Sequence, residues 1–313
     1  MSGVEHTETH IETPIESTFD AGEVIIGHVS NSSLEHPILH LPTLFGIDFS
    51  ITKHVMMLWL VAVLVFTAIT WTVSRYLKQE NPVPSGFMTM LESVVQFIRD
   101  TIVLPNVGKK HLNTWTPLVL TLFFFIVTAN AIGLFPIFDV VGAINRFILG
   151  GSAHDHNFVN SLLHGSTTAT GNYNVTAGLA TITFFAIILA GSKAHGFINH
   201  WKNLAPPGLA WPVYIILIPI EIIGMFVRPF ALTMRLAANM TGGHIAILAI
   251  LSFVFIFTGL FHSAAAGIGV GVLVSIPLAV AISGLEIIVI LVQAYVFTML
   301  TAVFIGMAIN VHH

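Results

Sequence analysis

The feature that most constrains this chain is a pair of apolar runs, 211–260 and 264–309, each far longer than one membrane crossing. At about 1.5 Å per residue, either run would be about 70 Å long as one straight helix, whereas a bilayer core is about 30 Å thick. Each run must therefore tilt steeply, kink or break. Pro219, Pro229 and Pro277 are the candidate positions for a kink or break, because proline removes a helical hydrogen bond. The sequence leaves these three possibilities open.

Three further apolar runs have the length of ordinary membrane crossings: 54–74, 117–138 and 175–192. The composition agrees with a chain that lies mostly in lipid. Only 8% of its residues are charged and its mean hydropathy is +0.88, whereas a soluble domain carries roughly 25% charged residues. The sequence therefore predicts five membrane crossings in all.

The segment 86–103, between the first two crossings, has a different pattern. Its apolar residues recur at intervals of three and four, with Glu92, Arg99 and Asp100 between them. This pattern predicts an amphipathic helix that lies on the membrane surface. The predicted fold is thus an all-α integral membrane protein with five membrane helices and one amphipathic surface helix. Its last two membrane helices are long and tilted and form an antiparallel hairpin.

Charged residues are unevenly distributed, and this sets the predicted topology. The segment 1–53 holds eight carboxylates and one lysine, which argues against a nucleic-acid arm or an anionic-lipid anchor. Lysine and arginine number five in loop 75–116, one in 139–174 and two in 193–210. Because basic loops stay in the cytoplasm, the N-terminus is predicted outside and the C-terminus inside. We divide the chain into an acidic extracytoplasmic N-terminal segment, 1–53, and a membrane domain, 54–313.

Charge is almost absent from the two long runs. Within 208–311 the formally charged side chains are Glu221, Arg228, Arg235 and Glu286. An ionisable side chain at membrane depth costs about 2.5–3.5 kcal/mol, so it is a candidate functional group. Arg235 is the extreme case, because a guanidinium stays protonated where a buried lysine can release its proton. Arg228 has an equally weighted structural interpretation, in which its head group snorkels to the interface.

The polar residues of the long runs are regularly spaced. Glu221, Arg228 and Arg235 lie seven residues apart, and so do Glu286 and Gln293. Residues seven apart lie close to one helical face. Each long run therefore has one polar stripe on an otherwise apolar helix.

The turn between the long runs sets a register for these stripes. The small-residue segment 261–269 predicts an antiparallel hairpin, in which residues equally distant from the turn centre stand opposite each other. His244 then faces Glu286, and Gln293 faces the middle of 235–239. This register gives the hairpin's main polar residues partners, which a random scatter would seldom do.

The predicted pair of His244 and Glu286 has the chemistry of a proton relay. Imidazole titrates near pH ~6.5, and chains of Asp, Glu and His mark proton paths in membrane proteins. Glu221 lies about 21 Å along the axis from Arg235 on one side, and His244 about 13.5 Å on the other. Protonatable groups thus flank a fixed cation, as two offset half-channels would require. The structural alternative is that these groups only join helices through hydrogen bonds.

Other candidate sites have weaker support. His154, His156 and His164 have the spacing of metal ligands, but only Asp155 accompanies them, so no metal site is expected. The chain has no cysteine, and it carries no phosphate-binding loop and no catalytic triad motif. We therefore expect neither a cofactor nor a catalytic centre.

A family resemblance is carried by residues 219–307, which include PIEIIGMFVRPFALTMRLAANMTGGH and LEIIVILVQAYVFTMLTAVFIGMA. These stretches, with their RLxxNMxxG motif, resemble subunit a of the F-type ATP synthase. Weaker likeness covers roughly residues 50–310. The resemblance implies a multi-pass, non-catalytic protein of the bacterial plasma (inner) membrane. It implies a stator subunit that provides two offset proton half-channels to the carboxylates of a rotating c-ring.

The resemblance also implies partners and residue roles. The implied partners are the c-ring, the peripheral-stalk b subunits and membrane lipid, with no nucleic acid, no cofactor and no small-molecule substrate other than H⁺. Arg235 corresponds to the essential stator arginine. The implied proton-pathway residues are Asn239 and Gln293 beside that arginine, Glu221 in the cytoplasmic half-channel, and His244 and Glu286 in the external one.

Two departures from the family pattern bear on the external side. Many bacterial members have Glu at the position of His244 and His at that of Glu286, and this exchange favours direct contact between the two. Some members have Asp at the position of Gly133, where it lines the external entrance. This chain lacks that carboxylate, so Asn130 is a candidate replacement.

A function of a different class is a self-contained secondary transporter whose midplane arginine binds an anionic substrate. The absence of inverted repeats and of paired broken helices argues against it. A purely structural scaffold is disfavoured by the polar stripes. Among coupling ions, H⁺ is favoured over Na⁺, because a His and Glu pair exchanges protons and no cluster of oxygen ligands is evident.

Overall fold

A computed structural model of the protein describes residues 50–78, 85–134, 169–202 and 211–310, together with residues 22, 25 and 26. Most of the acidic N-terminal segment and of the histidine-bearing loop lies outside the described residues. The helices in chain order are α1 (Lys53–Leu77), α2 (Phe87–Phe97), α3 (Leu104–Val107), α4 (Leu112–Leu134), α5 (Tyr173–His195), α6 (Phe197–Lys202), α7 (Trp211–Leu260), α8 (Ala264–Val270) and α9 (Ile276–Ile309).

In the part of the chain that the structure describes, five stretches of helix are long and apolar enough to cross a membrane. They are His54–Leu77, Leu112–Leu134, Tyr173–His195, Pro212–Leu260 and Ala264–Ile309. The prediction of an all-α protein with five membrane helices is therefore confirmed. Helices suit these runs because they satisfy every backbone N–H and C=O within one segment, which lipid cannot do.

The predicted amphipathic segment is helical, but it packs more deeply than a surface helix would. α2 continues through a π-helical turn, Ile98–Val103, into α3. Ile98 and Ile102 are fully buried in the core, whereas Arg99 and Asp100 form an exposed ion pair at 3.5 Å. The segment thus buries its apolar stripe against the membrane helices and turns its charges outward.

The two long runs differ in whether the regular helix is interrupted. α7 continues unbroken for 50 residues, with Pro219 and Pro229 inside it. The second run is interrupted by a π-helical turn, Gly271–Ser275, directly before Pro277. Such turns accommodate a residue that cannot keep the regular hydrogen-bond ladder. Of the three candidate positions, the structure therefore interrupts the regular helix only beside Pro277.

The hairpin between α7 and α8 turns sharply at residues 261–263. Gly267 permits this turn to be tight, because a methyl carbon there would overlap the Thr258 hydroxyl and approach the Val254 carbonyl oxygen to 2.8 Å. α9 then runs back along α7 and also packs against α4 and α5. The predicted antiparallel hairpin is confirmed, and α9 lies at the centre of the helix bundle.

The core has two apolar clusters along α9. One joins α9 to the π-helical turn after α2 and to α3, α4 and α5, and the other joins it to α4, α5 and α7. Gly306 brings α9 close to α3, because a methyl carbon at this position would overlap the backbone oxygen of Asn106. This packing fixes the face of α9 that carries Glu286 and Gln293 against α7.

Candidate functional site

Arg235 lies near the middle of α7 and points out of the helix bundle. It is exposed, whereas its neighbours Leu236 and Ala237 are fully buried. Within the described part of the chain, no ion pair or hydrogen bond engages the Arg235 side chain. A membrane helix therefore presents a permanent positive charge on its outer face, and the helix bundle supplies no counter-charge for it.

The residues around Arg235 make an outer face of small side chains. Ala231, Ala238 and Gly242 are all exposed, at the spacing of one helical stripe. Asn239 is exposed one turn beyond Arg235. Small residues let another helix approach the α7 backbone closely. This face can thus bring a second helix within reach of the guanidinium.

Arg228, two turns earlier on the same helix, has an internal partner. Its Nη2 atom donates a hydrogen bond to Oε1 of Glu221 at 3.1 Å, and the two side chains are 25% and 39% exposed. The guanidinium carbon also lies 5.5 Å from the ring centroid of Phe304. The structure therefore gives Arg228 an ion pair with Glu221, a contact that was not predicted from the sequence. The opposite charges on one face, seven residues apart, were the available signal.

Asn239 and Gln293 join the two long helices beside Arg235. The Asn239 amide Nδ2 donates to Oε1 of Gln293 at 2.9 Å, and Gln293 is buried. This contact agrees with the register predicted from the turn. It fixes α7 and α9 at the level of the exposed arginine.

His244 and Glu286 also meet, as the register predicted. Nδ1 of His244 lies 4.0 Å from Oε1 of Glu286, at the outer limit of an ion pair. The Glu286 carboxylate is buried, and neither of its oxygens accepts a hydrogen bond from a described residue. A buried carboxylate with so few partners is costly unless a proton or a water satisfies it.

Gly243 makes room for that carboxylate. A methyl carbon at position 243 would lie 2.7 Å from Oε1 of Glu286, whereas one at Gly242 would meet nothing within 4 Å. Glu286 therefore rests against the α7 backbone at Gly243, where a side chain would displace it. Gly243 was not predicted as a site residue, although it stands directly before His244.

Asn130, the candidate replacement for an acidic residue at Gly133, lies at the same end of the bundle. It is fully buried, and its Oδ1 accepts a hydrogen bond from the Thr170 hydroxyl at 2.5 Å. Its Nδ2 has no partner among the described residues. The turn that carries Thr170 also contacts α7, where the Thr241 hydroxyl donates to the Gly171 carbonyl at 3.5 Å. Thr170 was not anticipated, because isolated threonines carry no spacing signal.

Metal binding finds no support in the described residues, which hold no cluster of three His, Asp or Glu side chains. The suggested ligands His154, His156 and His164 lie outside them. The polar groups of the site are a histidine, two carboxylates, two arginines and two amides. Along α7 they follow the order of the Glu221 and Arg228 ion pair, the exposed Arg235, the Asn239 amide that bonds Gln293, and His244 beside Glu286.

Comparisons with known proteins agree on one family. The family model described as ATP synthase A chain matches residues 55–306. The chain is 39% identical over 296 residues to the ATP synthase subunit a 2 of Chlorobium luteolum, with 92% of this chain and 76% of that protein covered. It is 37% identical to a protein of the same name from Chlorobaculum tepidum, with 92% and 73% covered. It is 34% identical to the ATP synthase subunit a of Anaeromyxobacter dehalogenans, with 93% and 71% covered.

Proposed function

The chain belongs to the ATP synthase A chain family, and on that premise we propose that it is the proton-conducting stator subunit of an F-type ATP synthase. It provides two offset half-channels that meet a rotating ring of carboxylates on either side of Arg235. It catalyses no chemical reaction itself, and its proposed partners are that c-ring and the peripheral-stalk b subunits.

The observation that carries the proposal is the exposed guanidinium of Arg235 in the middle of a membrane helix, with no ion-pair or hydrogen-bond partner among the described residues. Lipid does not stabilise this charge, since placing a cation at membrane depth costs several kcal/mol of free energy. A partner carboxylate removes that cost. The small exposed residues Ala231, Ala238 and Gly242 allow a partner helix to bring one close.

Proton transfer at the ring follows from the charge of Arg235. A ring carboxyl group arriving beside the guanidinium is stabilised in its ionised form, because a nearby opposite charge favours the charged state. It therefore releases its proton before it reaches Arg235. Once past the arginine, the carboxylate recovers a proton from the other half-channel. The fixed cation also repels a proton that would pass directly between the half-channels.

The two half-channels are formed by the polar groups on opposite sides of Arg235. Glu221, with its Arg228 partner, belongs to the proposed cytoplasmic side. His244 and Glu286 belong to the external side, where their contact allows a proton to pass between imidazole and carboxyl group. Asn239 and Gln293 separate this pair from the arginine and hold the two long helices together.

The secondary-transporter alternative requires the arginine to face a substrate cavity inside the bundle. Arg235 points outward instead. The outward orientation therefore favours a site completed by another subunit. A proton is favoured as the transported ion, because the groups that flank the arginine are a histidine, two carboxylates and two amides.

The test uses the absence of cysteine from the natural chain. Ala238→Cys, exposed beside Arg235, is labelled with a photoreactive maleimide in the intact membrane complex. The matched control is Ala237→Cys, at a fully buried position. We expect the Ala238→Cys variant to cross-link to a small two-helix proteolipid that copurifies as a ring. A complex without such a ring, or equal cross-linking in the control, contradicts the proposal.

A further inference from the structure

We propose that one phospholipid binds in a groove between α1, α2 and α4, with its phosphate held by Arg75. This site is separate from the α7 and α9 hairpin, and it does not depend on proton conduction. The groove has a cavity volume of about 750 Å³, is open along one side, and is lined mainly by apolar and aromatic side chains such as Phe66, Ile69 and Phe124. The groove lies between two membrane helices, so a lipid acyl chain is the group expected to occupy it.

A second, more polar cavity of about 480 Å³ continues the groove at the C-terminal end of α1. Tyr76 and Met88 line both cavities, so the two are contiguous. The smaller cavity adds Arg75, Trp71 and Ser85. An apolar groove thus leads to a polar end that contains a cation and a hydroxyl group. This is the order of groups along a phospholipid, from acyl chain to phosphate.

Arg75 is suited to a phosphate. It is exposed on the last turn of α1, and its guanidinium carbon lies 5.3 Å from the ring centroid of Trp71. Among the described residues, no carboxylate forms an ion pair with it. Guanidinium groups bind phosphate oxygens through paired hydrogen bonds, and Trp and Tyr prefer the headgroup level of a bilayer. The carboxylate of the lining, Glu92, belongs only to the larger cavity and accepts a hydrogen bond from Gln96.

The dimensions favour one lipid over a partner helix. From Ala62 to Tyr76 the groove follows α1 for about 21 Å, which matches one leaflet with its headgroup layer, about 20–22 Å. A membrane helix of another subunit crosses the whole core of about 30 Å, so it would run past the end of this groove, whereas a lipid of one leaflet ends within it.

To test this, the intact complex is placed in phosphatidylcholine nanodiscs. The photoreactive probe is a trace of phosphatidylglycerol that carries a diazirine on its acyl chain. Modified residues are then mapped by mass spectrometry. We expect adducts concentrated on groove residues such as Phe66, Ile69 and Phe124. Labelling spread evenly over other exposed apolar residues of the membrane helices, such as Ile182 and Leu189, contradicts a specific site. Adducts on another subunit with none in the groove also contradict it.

Two pairs of variants test the parts of the site. Ala62→Trp fills the groove and abolishes groove labelling, whereas Val63→Trp, which lies outside the lining on the same helix, leaves it intact. Arg75→Gln lowers groove labelling about fivefold, the size expected of one basic contact to an anionic headgroup. Arg99→Gln, at an exposed arginine outside both cavities, leaves it unchanged. Equal effects within either pair overturn the assignment.

A last experiment distinguishes binding of a phospholipid from binding of free phosphate. Excess inorganic phosphate leaves the labelling unchanged if the site recognises phosphate and acyl chain together. A diazirine-labelled fatty alcohol, which lacks the phosphate, labels the groove less and is insensitive to Arg75→Gln. Competition by inorganic phosphate, or equal sensitivity of the fatty alcohol to Arg75→Gln, contradicts a phospholipid site.

Discussion

Two arginines on one helix show how this chain treats the same charge in opposite ways. Arg228 is partly buried, bound to Glu221 at 3.1 Å and placed over the ring of Phe304. Arg235 is exposed and has no such partner among the described residues. The first charge is neutralised within the chain, and its loss affects mainly packing. We propose that the second is neutralised by a partner subunit, so that its loss affects what that partner does.

The largest expected effect separates these two arginines. Arg235→Gln should reduce ATP synthesis in membrane vesicles by on the order of a hundredfold or more, because it removes the charge proposed to deprotonate the ring. Arg228→Gln should cost less than about threefold, because its charge only balances Glu221. Both complexes should assemble. Similar losses in the two variants contradict the distinction.

A second prediction concerns the room that Gly243 leaves for Glu286. Gly243→Ala should lower proton flux about tenfold, because the added methyl group displaces the carboxyl group from His244 and small displacements in such sites are costly. Gly284→Ala, two residues before Glu286 and with a methyl group that meets nothing within 4 Å, is the matched control. ATP-driven acidification of vesicles measures both. Equal flux in the two variants would show that the space at Gly243 does not matter for proton flux.

A third prediction treats His244 and Glu286 as one unit. His244→Ala and Glu286→Ala should each slow ATP-driven acidification several-fold, because each removes one of the two groups between which a proton is proposed to pass. The double exchange of His244→Glu with Glu286→His restores both groups at the same contact and should recover much of the flux. Such coupling is expected only of residues in contact or in one network. Additive losses without recovery would disprove the pairing but leave Arg235 unaffected.

The smallest expected effect is the coupling between Glu221 and Arg228. The single variants Glu221→Gln and Arg228→Gln and the double variant form a double-mutant cycle, read as the thermal stability of the purified complex. We expect a coupling energy of about 0.5–1 kcal/mol, as for a partly exposed ion pair. A coupling indistinguishable from zero would show that the two charges do not interact in the membrane.

The sequence predicted the helices and the register of the hairpin, because length, hydropathy and the turn position determine both. The contacts of His244 with Glu286 and of Asn239 with Gln293 follow from that register. The sequence could not predict that Pro229 leaves α7 unbroken, since packing in membrane helices often compensates for the lost hydrogen bond.

Hydropathy did not predict the outward orientation of Arg235, which only the family resemblance implied. The residues around the arginine are mostly apolar on both sides of α7, so hydropathy does not tell the bundle-facing side from the outer side. The buried contact of Asn130 with Thr170 was hidden for a related reason, since 40 residues separate the two in sequence. Tertiary packing decides both features.

The measurement that tests the central claim most directly gives Arg235 an internal partner. Ala231 is exposed one turn before Arg235, so Ala231→Asp places a carboxylate where it can pair with the guanidinium. The matched control, Ala231→Asn, adds a side chain of similar size without charge. If Arg235 acts through a charge that no described residue neutralises, ATP-driven acidification of vesicles should be more than about tenfold slower in Ala231→Asp than in Ala231→Asn, which adds the same bulk to this face. Equal acidification rates in the two variants would contradict the claim that Arg235 must stay free of an internal counter-charge.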